Sequence, residues 1–114
     1  MQSAAPHLDR AFLALADPTR RAILARLADG EASALELAEP FPISQPAISR
    51  HLKVLENAGL IERRSEGTKR YCNLAANGLD ELDEYLELLR RSLENNYTRL
   101  DALLSRGIKS KRKT

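Results

Sequence analysis

The chain has 114 residues, with 18 Lys and Arg against 16 Asp and Glu, a formal net charge of +2. That is one domain's length, and a chain so short buries only about two thirds of its unfolded surface, so a partner subunit would add to its stability. With 30% charged and 43% hydrophobic residues the composition excludes wholesale disorder, and no apolar run approaches the roughly 18 residues of a membrane span.

Leu8, Phe12 and Leu15 stand at i, i+4 and i+7 and predict one face of a short first helix. Asp17-Pro18 closes it and opens a second, with Asp17 as cap and Pro18 in its first position. Ile23, Leu24 and Leu27 form the apolar side of that helix, and Gly30 ends it. Ser33 with Glu36 makes a capping box for a third helix, whose apolar contacts are expected from Leu35, Leu37 and Ala38. Pro40 forbids a long continuation. After the apolar turn Phe41-Pro42-Ile43, Ser44 caps a fourth helix over residues 44–57. With 100° per residue, Ile48, Leu52 and Leu55 fall on one side, Pro46, Ser49, Arg50, Lys53 and Asn57 fall on the other, and His51 lies on the flank. Gly59 is the stop. Residues 60–64 and 68–74, joined by Ser65-Glu66-Gly67, read as a β-hairpin. Arg70, Cys72 and Leu74 share one face, with Leu74 marking the core side.

A long helix is expected from about Asn77 to Arg106. Leu79, Leu82, Leu86, Leu89, Leu93, Asn96, Leu100 and Leu103 alternate by three and four, a heptad seam whose only polar member is Asn96. Three short helices cannot cover it alone. Charge is unevenly placed: residues 44–74 carry +3, residues 75–105 carry −4, and the tail 106–114, expected to be disordered, carries +5. A basic middle on an acidic chain suggests a polyanion met at particular places.

A helix-turn-helix followed by a hairpin is the organisation of a winged helix: mainly α, five helices plus a two-stranded wing. A fourth helix bearing Gln, Ser, Arg and Lys can enter a major groove. Candidate DNA contacts are Gln45, Pro46, Ser49, Arg50, His51 and Lys53 on that helix, and Arg63, Arg64, Lys69 and Arg70 on the wing. Gln45, Ser49 and Arg50 are the base readers of choice, and Lys53 with the four wing cations the phosphate contacts.

The segment Leu15-Ala16-Asp17-Pro18-Thr19-Arg20-Arg21-Ala22-Ile23-Leu24 resembles the opening of ArsR/SmtB-type bacterial transcriptional regulators. So do Ser44-Gln45-Pro46-Ala47-Ile48-Ser49-Arg50-His51-Leu52-Lys53-Val54-Leu55, the following Ala58-Gly59-Leu60-Ile61, and the hairpin from Arg63 to Leu74. The resemblance covers residues 8–105, expected to form one DNA-binding and dimerisation domain. It implies a homodimeric repressor on a dyad-symmetric double-stranded operator, dimerised through its first and last helices. The corresponding positions here are Leu8, Phe12 and Leu15, and Leu82, Leu86, Leu89, Leu93, Asn96 and Leu100. The family's thiolate metal site needs paired cysteines on the helix before the recognition helix, where this chain has Ala34-Leu35-Glu36-Leu37-Ala38-Glu39. A second family site needs a last-helix histidine, and there is none. The chain therefore resembles the branch without metal motifs, whose Glu39-Pro40-Phe41 turn and Tyr71-Cys72 strand it shares, and no metal or other cofactor is expected.

Cys72, the only cysteine, excludes an internal disulfide, and residues 1–7 lack the features of a secretory signal, so the expected compartment is the cytoplasm, with no membrane association. Its thiol is either a redox sensor or a small hydrophobe under the wing. The acids of the last helix have no matched His, Ser or Cys and no phosphate loop, so no enzyme is expected. Two other readings stay open: a thiol- or small-molecule-sensing repressor, and a winged helix used for protein contacts.

Overall fold

The computed structural model describes residues 6–107. In chain order the elements are α1 (Pro6–Leu15), α2 (Pro18–Leu27), β1 (Ala32–Ser33), α3 (Ala34–Ala38), α4 (Gln45–Asn57), β2 (Ile61–Glu66), β3 (Lys69–Leu74) and α5 (Asp80–Gly107). The chain divides into two units, residues 1–81 and 82–114.

In the first unit each helix starts where a polar side chain can satisfy its free N–H groups. Asp17 accepts from the Arg20 backbone N–H at 3.1 Å, with Pro18 next in line. Ser33 and Glu36 close the expected capping box in both directions, and Ser44 accepts from the Ala47 N–H at 3.2 Å. The end of α1 is finished from outside. Arg20 donates from Nε to the Ala14 carbonyl at 2.8 Å and from Nη2 to Leu13 at 2.9 Å, and Arg21 donates to Leu15 at 2.8 Å. Two consecutive arginines thus occupy carbonyls that α1 leaves without an intrahelical partner.

The core gathers Ala11 and Ala14 of α1, Ile23 and Leu27 of α2, Leu37 of α3, and Ile48, Leu52 and Leu55 of α4 over Ala32, Ile61 and Cys72 of the sheet. Two apolar expectations change. Leu35 is 69% exposed, because a five-residue helix turns only Leu37 fully inward, with Ala34 and Ala38 partly packed. The core side of β3 is marked by Cys72, completely buried, whereas Leu74 at the strand's end is 39% exposed.

The hairpin pairs Ile61 with Leu74 through Glu66 with Lys69, leaving Gly67-Thr68 as a two-residue turn. Gly67 has φ 65° and Thr68 does not share a positive φ, the backbone of a II′ hairpin turn. Strand β2 runs two residues further than the sequence suggests, so Ser65 and Glu66 are paired rather than in the turn, β3 starts one residue later, and β1 adds a third, antiparallel strand on β3, with Ala32 opposite Cys72. A two-residue strand carries too little periodicity to be read from sequence.

Helix α5, which supplies the described part of the second unit from Leu82 onward, begins at Asp80 rather than near Asn77, because Gly78 and Leu79 form the preceding turn. It continues through Gly107, so Arg106 and Gly107 of the expected tail are helical, and residues 108–114 lie outside the described residues. The seam leucines are open: Leu86, Leu89, Leu93, Leu100 and Leu103 are 41–60% exposed. Asn96 Oδ1 accepts from Arg99 Nη2 at 3.4 Å within the helix. No described helix is long and apolar enough to cross a membrane.

Candidate nucleic-acid interface

Helix α4 presents its two faces as its periodicity dictates. Ile48, Leu52 and Leu55 are buried, while Gln45, Pro46, Ser49, Arg50 and Lys53 are exposed. Arg50 and Lys53 make no ion pair among the described residues. Gln45 and Ser49 line a cleft of about 640 Å³ together with Thr68, Lys69 and Arg70 of the wing and Leu35, Glu36 and Tyr71. The polar face of the helix and the tip of the hairpin therefore bound one concavity. Thr68 and Tyr71, which the charge pattern gave no reason to single out, belong to it.

His51 sits apart from this surface. It is half-buried, with Nδ1 3.2 Å from Arg20 Nη1 and 4.0 Å from Asp17 Oδ2. Arginine offers only donors, so Nδ1 accepts, and the proton of the neutral ring is on Nε2. Arg20 thereby joins the end of α1 to the flank of α4, a link between residues 31 apart that no local pattern displays. The Asp17 carboxyl lies below its ordinary range chiefly because it caps α2 on the Arg20 N–H, which outweighs the opposing effect of burial, and the Arg20 charge adds to the lowering.

The four wing cations part company. Strand alternation places Arg63 with Cys72 on the face toward α4, and Arg64 with Tyr71 on the opposite face. Arg63 donates to Glu56 Oε1 of α4 from Nη2 at 3.2 Å and Nε at 3.3 Å. Arg64 pairs with Glu31 at 3.0 Å and Glu66 at 3.1 Å and lies 4.7 Å from the centre of the Tyr71 ring. Glu31 also accepts from Asn73 at 2.9 Å. Hydrogen bonds from Arg64, then from Asn73, hold the Glu31 carboxyl below its usual range. Lys69 and Arg70 form no ion pair among the described residues and stand at the turn.

Burial pushes the Cys72 thiol up from its ordinary value, with the nearby Arg63 charge opposing. A buried, protonated thiol is a poor nucleophile. Among the described residues no three His, Cys, Asp or Glu side chains come together in a group that could hold a metal ion.

The helix-turn-helix domain family model matches residues 15–64. The HTH-type transcriptional regulator Rv2034 of Mycobacterium tuberculosis is 47% identical over 91 residues, 80% of this chain and 78% of that protein. The crystal structure of an ArsR family transcriptional regulator superposes with a TM-score of 0.76 at 35% identity, covering 82% of this chain and 97% of that one. The solution structure of a homodimeric winged helix-turn-helix DNA-binding domain from Mycobacterium bovis, described as a possible ArsR-family regulator, gives a TM-score of 0.62 at 27% identity, covering 83% of this chain and 93% of that one.

Proposed function

The chain belongs to the ArsR family of winged helix-turn-helix transcriptional regulators, and from that premise we propose that it is a homodimeric cytoplasmic repressor acting on a dyad-symmetric double-stranded operator without a metal. The observation that carries this is the shared cleft of Gln45 and Ser49 with Thr68, Lys69 and Arg70. One concavity holds side chains suited to base edges beside side chains suited to phosphates. Gln45, Pro46, Ser49 and Arg50 enter the major groove, and Lys53, Lys69 and Arg70 grip the backbone. Arg63 and Arg64 reach phosphate only by exchanging a carboxylate partner for it. That exchange keeps their contribution below that of Lys69 and Arg70, which form no ion pair among the described residues. His51 serves by orienting α4 through Arg20.

Metal independence is supported by the missing cysteines of residues 34–39 and the absence of histidine from α5. The second copy is supported by the open leucine seam of α5 and the outward Phe12 of α1. A dimer with one reading helix per subunit needs half-sites about one helical turn, or a multiple, apart.

The test is binding-site selection with the full chain, followed by affinities between about 50 and 200 mM salt. Several phosphate contacts per dimer predict a loss of about 10³-fold or more over that range, because binding releases condensed counterions. Micromolar Zn²⁺ or arsenite is expected to leave the complex intact. A salt-insensitive interaction with no selected sequence would favour the protein-contact reading, and stoichiometric release by either metal would overturn metal independence.

A further inference from the structure

A second concavity of about 560 Å³ lies in the first unit, away from the α4 face, and its lining is almost wholly aliphatic. Leu24 of α2, Leu60, Leu74 and Leu79 form most of its walls, with alanines between them. Leu60 is buried at 2% exposure, whereas Leu74 and Leu79 are left 39% and 49% exposed. Among the described residues Arg21 is the only charged one that lines it, and no acid does. That guanidinium is already oriented: Nη1 donates to the Leu15 carbonyl at 2.8 Å, which leaves most of its five N–H donors unused by that bond. The volume falls within the span of small-molecule sites, which are mostly apolar with a few fixed polar groups.

We propose that this groove is an effector site for a small amphiphilic carboxylate, its apolar body between Leu24, Leu74 and Leu79 and its anionic end on Arg21. Charge complementarity selects the occupant, because a neutral apolar molecule would leave the fixed cation unanswered and a cationic one would oppose it. The walls give the groove its leverage. Leu60 directly follows Gly59, the stop of α4, and Leu74 is the last residue of β3. The Ala75 N–H donates to the Leu60 carbonyl at 3.0 Å, tying the two segments together. A ligand seated against both biases the angle between the reading helix and the wing, so its affinity and that of DNA are linked. The regulatory consequence rests on the repressor reading; the binding does not.

The probe is sodium decanoate below its micelle concentration, with decanol as neutral counterpart, followed through leucine methyl NMR shifts of the full chain. Saturable shifts at Leu24, Leu74 and Leu79 are expected, with decanoate about tenfold tighter than decanol, as a hydrogen bond to a charged group implies. Arg21→Gln keeps a donor for the Leu15 carbonyl and should erase that preference. Ala25→Trp, at an exposed lining position, should fill the groove and abolish saturation while the circular dichroism stays native. Saturating decanoate should weaken operator affinity of the parent about fivefold or more and leave Ala25→Trp unaffected. The proposal is overturned by absence of saturable shifts, by shifts confined to α5 leucines and indifferent to Ala25→Trp, or by groove binding that leaves operator affinity unchanged. It is equally overturned if decanoate acts by dissociating dimers, which would make the groove an interface between copies. Operator binding of the ligand-free chain is measured separately, so failure of the repressor reading registers there and failure of this one in the methyl shifts.

Discussion

Arg50 and Lys53 lie on the exposed face of α4, and the difference between their head groups predicts different losses. The planar guanidinium of Arg50 can bond guanine O6 and N7 together, which the compact ammonium of Lys53 cannot. Arg50→Ala should cost about 1–3 kcal/mol of operator affinity and relax preference at one base pair per half-site. Lys53→Ala should weaken all sequences alike and lower the salt slope by about one unit for each half-site. Selection repeated with each variant at two salt concentrations separates them, and an Arg50→Ala variant with unchanged affinity and preference would show that the reading face lies elsewhere. At this scale the sequence was most informative where periodicity is strict. Ile48, Leu52 and Leu55 turn inward as their spacing requires, which leaves Gln45, Ser49, Arg50 and Lys53 outside. His51 was legible only as a flank residue, because its partner Arg20 sits on another helix.

The wing shows how an element redistributes charges that a sequence merely counts. Four cations near one turn look equivalent along the chain, yet pleating sends Arg63 to Glu56 and Arg64 to Glu31 and leaves Lys69 and Arg70 at the tip. Lys69→Ala and Arg70→Ala are each expected to lower the salt slope of operator binding by about 1.8, the signature of two released counterions, one from each subunit of the dimer. Arg64→Ala should change it by clearly less. Glu31→Gln withdraws the competing carboxylate and should raise the slope in the parent but not when Arg64 is also Ala, a double-mutant comparison that isolates the pair. Equal slopes for the Arg64, Lys69 and Arg70 variants would mean that DNA takes Arg64 from Glu31 without resistance. The Glu31 contribution has a definite pH window. Its folded-state pKa is depressed, so the stabilisation is complete above the ordinary carboxylate value and is lost as pH falls through the lower folded value. Changing pH within the neutral range should therefore leave the Glu31 competition for Arg64, and operator binding with it, unchanged. Hairpin and caps were legible because turn glycines and capping side chains act locally, whereas β1 depends on a pairing with Cys72 made 40 residues away along the chain.

For the whole molecule the decisive feature is α5, 28 residues long with an open row of leucines. An isolated chain would keep Leu86, Leu89, Leu93, Leu100 and Leu103 in water, and a heptad row on a helix this long is stable when a second helix covers it. The seam was legible because its three-and-four spacing persists over several heptads; its start was misplaced by one turn because Leu79 fits the spacing although it lies in the turn that Gly78 makes before the helix. A Cβ at Gly78 would stand 2.5 Å from the Gly59 carbonyl oxygen, a close approach that spacing alone does not reveal. If the seam is the subunit contact, Leu89→Lys with Leu93→Lys removes four leucines from a two-fold interface and sets lysines against their symmetry mates. At about 1.5–3 kcal/mol for each buried leucine, the loss is on the order of 6 kcal/mol before charge repulsion is added. That is roughly four decades in the dimer dissociation constant, enough to leave monomers at micromolar concentration. The core of the first unit contains neither residue, so its helical circular dichroism and thermal transition should survive in the monomer. Operator affinity should fall with loss of dimer, because each monomer can then hold only one half-site. Sedimentation equilibrium on the double variant decides the matter: an intact dimer would place the interface away from Leu89 and Leu93, whatever the DNA affinity.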